Sequence, residues 1–106
     1  MLNLPPSLRI HAATEPCDMR KQLDGLAGMV RQALRDDPQS GDLFLFRNRR
    51  GDMVKILFFD RQGYCMFVKR LDVGVFKLRC ETGEPACRLT AAQLGELLRG
   101  VPIHSA

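Results

Sequence analysis

Between Leu43 and Arg79 the chain reads LFLFRNRRGDMVKILFFDRQGYCMFVKRLDVGVFKLR. Apolar runs rich in Phe, Val, Ile and Leu are interrupted at Asn48-Arg49-Arg50-Gly51, Asp60-Arg61-Gln62-Gly63 and Asp72-Val73-Gly74. Runs of this length, bounded by Gly, Asn or Asp, predict strands joined by tight hairpins. Four antiparallel strands in a meander are expected, over about Leu43–Arg47, Met53–Asp60, Tyr64–Leu71 and Val75–Arg79.

Upstream the period changes. Leu8 to Ala13 reads as a short strand, with Leu8, Ile10 and Ala12 on one side and Arg9 and His11 on the other. Asp18 then stands as an N-cap, and Met19, Leu23, Leu26, Ala27, Val30 and Leu34 recur at helical spacing. A helix is expected from Asp18 to about Arg35. Arg20, Asp24, Arg31 and Arg35 form a polar stripe beside the apolar one, with Lys21 further round. Gly25 and Gly28 lie away from the core stripe. Each costs about 1 kcal/mol against alanine inside a helix. That cost points either to close approach by a partner or another backbone, or to simple tolerance. Asp36 to Gly41 turns the chain into the meander.

Downstream, Glu81 to Pro85 is a loop and the last helix is clearly signalled. Thr90 and Gln93 fit a capping box, Leu89 and Leu94 a hydrophobic staple, and Gly100 with Pro102 the stop. Leu2 to Ser7, with two prolines, is an expected extended lead-in, and Ile103 to Ala106 is expected to fray. The resulting fold class is α+β in one domain over residues 1–106. It comprises an antiparallel four- to five-stranded meander, one long N-terminal helix and one short C-terminal helix.

Hairpin registers give the pattern a functional meaning. A first turn centred between Arg49 and Arg50 sets Arg47 opposite Asp52 and Phe44 opposite Lys55. A second turn centred between Arg61 and Gln62 sets Val54 opposite Lys69 and Met53 opposite Arg70. Arg47, Arg49, Arg50, Lys55, Lys69 and Arg70 therefore gather at one end of the sheet, offset mainly by Asp52. Residues 43–79 hold nine Lys or Arg against three Asp, a balance of +6. Residues 1–42 and 80–106 each carry −1, so the chain's net +4 belongs to the meander.

Composition changes the picture little. The 106 residues are 45% hydrophobic and 26% charged, ordinary for a soluble domain. No apolar run approaches the ~20 residues of a membrane span, and the start lacks a signal-peptide pattern, so a cytoplasmic protein is expected. Cys17, Cys65, Cys80 and Cys87 show no Cys-x-x-Cys spacing, and neither His11 nor His104 stands at ligand spacing from them. Free thiols are the expectation, with no metal and no cofactor. Cys80 and Cys87 flank a Gly-Glu-Pro loop, and the spacing leaves their proximity open. His11 reads as a surface or edge-strand histidine.

No catalytic set is assigned. Asp18, Asp24, Asp52, Asp60 and Asp72 nearly all occupy helix starts or turn corners, which explains them locally. Asp52 and Asp60 belong to opposite ends of one strand and do not converge as a two-metal site requires. Arg49-Arg50-Gly51 lacks the Lys-Ser/Thr of a P-loop. The basic end suits phosphate, which arginine grips in two-point geometry. Phe44, Phe46, Phe58, Phe59, Tyr64 and Phe67 offer stacking platforms or, more simply, the sheet core. The competing reading is a protein-binding adaptor whose contact surface is Arg20, Lys21, Gly25, Gly28, Arg31 and Arg35.

Several stretches together resemble a known family. They are Asp18-Met19-Arg20-Lys21 with Asp24-Gly25-Leu26, Ser40-Gly41, Leu43-Phe44, and Arg47-Asn48-Arg49-Arg50-Gly51-Asp52 with Lys55. Asp60 with Gly63, Lys69-Arg70-Leu71, Leu89-Thr90 and Gln93-Leu94 follow in order. The chain resembles the TnpB (Orf2-like) accessory proteins of the insertion sequence sixty-six family of bacterial transposons. Phe58-Phe59 stands where that family commonly carries tryptophan. The resemblance implies a helper encoded beside a separate transposase that cuts and joins DNA; the basic cluster adds transposon DNA to the transposase as an expected partner. It implies no catalytic residues here.

Overall fold

The computed structural model describes residues 8–105, so the lead-in Leu2–Ser7 and the terminal Ala106 lie outside the described residues. In chain order the elements are β1 (Ile10–Ala13), α1 (Leu23–Gln32), β2 (Leu43–Arg47), β3 (Met53–Asp60) and β4 (Gly63–Arg70). They continue as β5 (Leu78–Cys80), β6 (Ala86–Leu89), α2 (Ala91–Leu98) and β7 (Ile103–Ser105). The main sheet has five strands in the order β4-β3-β2-β1-β6, and β5 pairs with β7 in a separate two-stranded sheet.

The sheet is mixed, which corrects the expected antiparallel meander. β1 runs parallel to β2, pairing Ile10 with Leu43, and antiparallel to β6, pairing Ile10 with Leu89. Parallel neighbours need a long crossover, and here α1 supplies it. The strand, helix and strand legible in residues 8–47 already had that pattern. His11 accordingly sits on a central strand, not an edge. Of the meander, β2, β3 and β4 stand as expected. The fourth strand does not. Gly74 takes φ 85°, and the chain folds back under the first hairpin, where Phe76 N–H donates to the Gly51 carbonyl at 2.8 Å. Phe76 is buried there in the core, so the chain leaves β4 instead of pairing with it. The tail, expected to fray, pairs as β7 with β5.

The N-terminal helix is shorter than its apolar period suggests. Asp18 does not cap it. Its carboxylate accepts from Arg20 N–H at 2.9 Å, and its carbonyl from Lys21 N–H at 3.1 Å, closing a turn instead. The helix begins at Leu23 after Gln22, which makes no side-chain cap. It ends at Gln32. Arg35 is left-handed at φ 54°, and Asp36 N–H returns to the Val30 carbonyl at 3.0 Å, which turns the chain back at the helix end.

Strand alternation splits the core into two layers. Ile10, Ala12, Leu43, Leu45, Val54 and Ile56 meet Leu94, Leu97 and Leu98 of α2. Ala13, Phe44, Phe46 and Leu57 meet Leu26, Ala27 and Val30 of α1. The second helix is built as its sequence says. Gln93 N–H donates to Thr90 Oγ1 at 3.0 Å, and Thr90 N–H donates to Gln93 Oε1 at 2.9 Å. Thr90→Ala is expected to cost about 1 kcal/mol. A lowered urea midpoint with unchanged slope is the measurement.

Candidate nucleic-acid interface

The first hairpin closes one residue later than a turn between Arg49 and Arg50 would place it. Phe46 pairs with Lys55 and Arg47 with Val54. Asn48 causes this. Its Oδ1 accepts from Gly51 N–H at 2.9 Å and Met53 N–H at 3.1 Å, and its Nδ2 donates to Asp52 Oδ1 at 2.6 Å. Gly51 takes φ 84°, a conformation that disfavours any side chain. The tip is thus a wired loop, and Arg49 and Arg50 project from it into solvent. Arg50 Nε lies 3.9 Å from Asp52 Oδ2, while Arg49 meets no acid among the described residues.

The second hairpin has the register its turn spacing predicts, with Val54 opposite Lys69 and Met53 opposite Arg70. Leu71 N–H donates to the Asp52 carbonyl at 2.8 Å, which brings exposed Arg70 to the same end as the tip. Exposed Lys77 arrives beside it, because Phe76 docks on Gly51. Lys77 counted in the charge balance of the sequence but not in the basic cluster. Only the fold-back after Gly74 brings it there, and strand periodicity carries no sign of that.

The other three cations are spent internally. Lys55 is 5% exposed, and its Nζ donates to the carbonyls of Met19 at 2.7 Å and Lys21 at 2.8 Å. It fastens the turn that precedes α1. Lys69 points to the opposite face, where its Nζ donates to the Leu98 carbonyl at the end of α2, at 2.7 Å. A cation at a helix C-terminus opposes the dipole and satisfies a free carbonyl. Arg47 donates from Nη1 to the Leu78 carbonyl at 3.2 Å, its Nε is buried without a partner, and burial lowers its pKa. Among the expected phosphate ligands, Arg49, Arg50 and Arg70 remain outward-facing.

The aromatics divide in the same way. Phe44 and Phe46 are fully buried, and Phe58 and Phe67 pack on the α2 side of the core. Phe59 and Tyr64 meet edge to face at 5.2 Å beside the far turn, away from the basic tip.

The helical stripe is not one surface. Arg20 lies before the helix and is held by Asp18, whose carboxyl the Arg20 hydrogen bonds pull down to about 2. Lys21 also precedes the helix, and Arg35 follows it. Arg31 donates to Tyr64 Oη at 3.2 Å. A Cβ at Gly25 would meet Lys21 Cβ at 3.1 Å, so this glycine admits the chain's own turn. A Cβ at Gly28 would meet nothing within 4 Å.

Other chemistry is dispersed. His11 stacks on Phe44 at 5.0 Å, and its Nε2 lies 2.9 Å from Asp42 and 3.7 Å from Asp36. It ties β1 to the segment joining α1 and β2, beside a cleft of about 340 Å³ lined by Leu34, Glu84 and Arg88. No three His, Cys, Asp or Glu among the described residues are grouped to hold a metal ion. Cys80 and Cys87 are joined in a disulfide, with Cα atoms 6.0 Å apart, which corrects the free-thiol expectation for that pair. It links the small sheet to β6. Cys17 is buried, and burial pushes its thiol pKa up; Cys65 is half-buried. No helix among the described residues is long and apolar enough to cross a membrane.

Comparison with known proteins gives this geometry a setting. A Sinorhizobium fredii (strain NBRC 101917 / NGR234) protein called "Uncharacterized protein y4hO" is 40% identical over 101 residues, covering 95% of this chain and 87% of that protein. A second from the same strain, "Uncharacterized protein y4jC", is 38% identical over 76 residues, covering 72% of this chain and 65% of that one. No solved structure matches the chain. The family described as "IS66 Orf2 like protein" matches residues 8–106. The match runs through both hairpins, the basic tip and both helices, and the protein therefore belongs to the IS66 Orf2-like family, a group of transposition-associated accessory proteins.

Proposed function

We propose that the wired hairpin tip binds the phosphate backbone of transposon DNA and helps assemble the transposition complex, with no catalysis of its own. Arg49 and Arg50 make the first contact, and Arg70 and Lys77 extend it. The observation that carries this reading is the tip itself. Three hydrogen bonds from the Asn48 side chain hold the loop that displays two arginines, and Arg49 has no acid beside it among the described residues. A pre-formed cationic fork loses little freedom on gripping phosphate. Such contacts position a protein without reading sequence.

The test is affinity for a transposon-end duplex across a salt series. With four cations engaged, the slope of log affinity against log salt should be roughly −3 to −4. Arg49→Ala with Arg50→Ala should make it shallower by about 2 and weaken all sequences alike. An unchanged slope, or no binding at low salt, overturns the proposal. Retention of the separate transposase after nuclease treatment, with no DNA binding, would favour a protein-binding adaptor instead.

A further inference from the structure

Two loops meet at the basic end of the sheet. Leu71 N–H donates to the Asp52 carbonyl and Phe76 N–H to the Gly51 carbonyl, each at 2.8 Å. Asp72 to Val75 therefore stand as a second loop beside the Arg49-Arg50 tip. A Cβ at Gly51 would meet Val75 Cβ at 3.5 Å, an ordinary contact between the two loops. Val73 is 89% exposed, and Val75 is exposed beside it. They are two of the five large apolar side chains exposed among the described residues, and they share this one loop. The bend does not ask for valine. Gly74, at φ 85°, supplies the left-handed residue, and turns otherwise favour Asn, Asp, Ser or Pro. Cations flank the loop: Arg70 before it, Lys77 after it, and Arg49 and Arg50 on the neighbouring tip, all exposed. Asp72 is exposed as well, and it makes no ion pair among the described residues.

Resting on the phosphate reading above, we propose that this loop enters the major groove of duplex DNA, where Val73 meets the C5-methyl groups of thymine while the four cations hold phosphates on either side. The surface sets an apolar tip inside a collar of cations. Duplex DNA offers the complement, with methyl groups on the groove floor between two walls of phosphate. The major groove is about 12 Å wide and admits a two-stranded β-ribbon, so two adjoining loops fit it. The minor groove, about 6 Å wide, would not take both. Asp72 supports the same orientation. Phosphate repels its carboxylate, which therefore belongs away from the backbone, and the groove floor presents the cytosine N4 amino group as a donor. Arg49 and Arg50 supply affinity that is blind to sequence, and Val73 adds a preference for thymine-bearing sites.

The experiment compares a transposon-end duplex with the same duplex in which every thymidine is replaced by deoxyuridine. That change removes the methyl groups and leaves every phosphate in place. The full chain should bind the deoxyuridine duplex about fourfold more weakly, the worth of one buried methyl group. Val73→Ser should weaken binding to the thymine duplex by about the same factor, leave the salt slope unchanged and bind the two duplexes alike. Because Val73 is exposed, the thermal midpoint of that variant should not move. Equal affinity of the unaltered protein for the two duplexes overturns the inference, as does a Val73→Ser protein that still prefers thymine. With the expected salt slope, either result leaves phosphate binding standing. No binding of either duplex at low salt removes both. If the valines serve a protein partner instead, Val73→Ser loses the transposase and keeps its DNA affinity, which overturns the inference equally.

Discussion

Lys55→Ala is expected to destabilise the protein by about 3 kcal/mol. The ammonium is almost wholly enclosed and meets two carbonyls of the turn before α1. Truncation leaves both carbonyls without that donor and removes the aliphatic stem from beneath the helix. For a chain of this size the thermal midpoint should fall by roughly 10 to 25 °C. Calorimetry of the purified variant reads it directly. Arg49→Ala, by contrast, should move stability by no more than about 0.5 kcal/mol. The contrast matters for any charge scan of DNA binding. If the tip binds phosphate as proposed, Arg49→Ala should weaken binding at unchanged stability, whereas any weakening by Lys55→Ala should track its lost stability. A Lys55→Ala protein with an unchanged midpoint would mean that the two carbonyls find water at no cost.

Phe44→Ala should cost more, about 4 kcal/mol. The ring is fully buried at the centre of the α1-side layer and carries His11 stacked on its face. The void left there is walled by Phe46, Leu57 and α1, and strand backbones cannot collapse to fill it. Small domains hold only about 5–15 kcal/mol in total. The variant should therefore show a sharply reduced urea midpoint. A loss under about 1 kcal/mol would show that this layer repacks freely.

The legible parts of the fold are those whose signals are local. Thr90, Gln93, Leu89 and Leu94 specify the start of α2 within a few residues; the capping box is present, and both leucines are buried in one core cluster. The β3–β4 register follows from a two-residue turn. Neither strand of the parallel β1–β2 pair marks the pairing by itself; only the succession of strand, helix and strand over residues 8–47 points to it. Val75 to Arg79 misled for a similar reason. Its residues suit a strand, but Phe76 is buried under the first hairpin and its N–H bonds the Gly51 carbonyl there, away from β4. Asp18 looked like a cap because its neighbours have helical spacing, and its carboxylate serves a turn instead. At the site, the hairpin registers bring Arg49, Arg50 and Arg70 to one end of the sheet, as the turn spacing predicts. Net charge could not separate ammonium groups aimed at backbone carbonyls from guanidinium groups aimed at water.

The position of β1 has a consequence for how the chain is made. Ile10 pairs with both Leu43 and Leu89, so the centre of the sheet is assembled from the beginning, the middle and the last quarter of the sequence. Local hairpins form in about microseconds, whereas pairings this distant in sequence must first close a long loop. On the ribosome, β2 to β4 can zip as soon as they emerge, yet β1 keeps one side bare until Ala86 to Leu89 have left the tunnel. Nascent chains stalled before that point should be protease-sensitive around β1, and chains released beyond it should not.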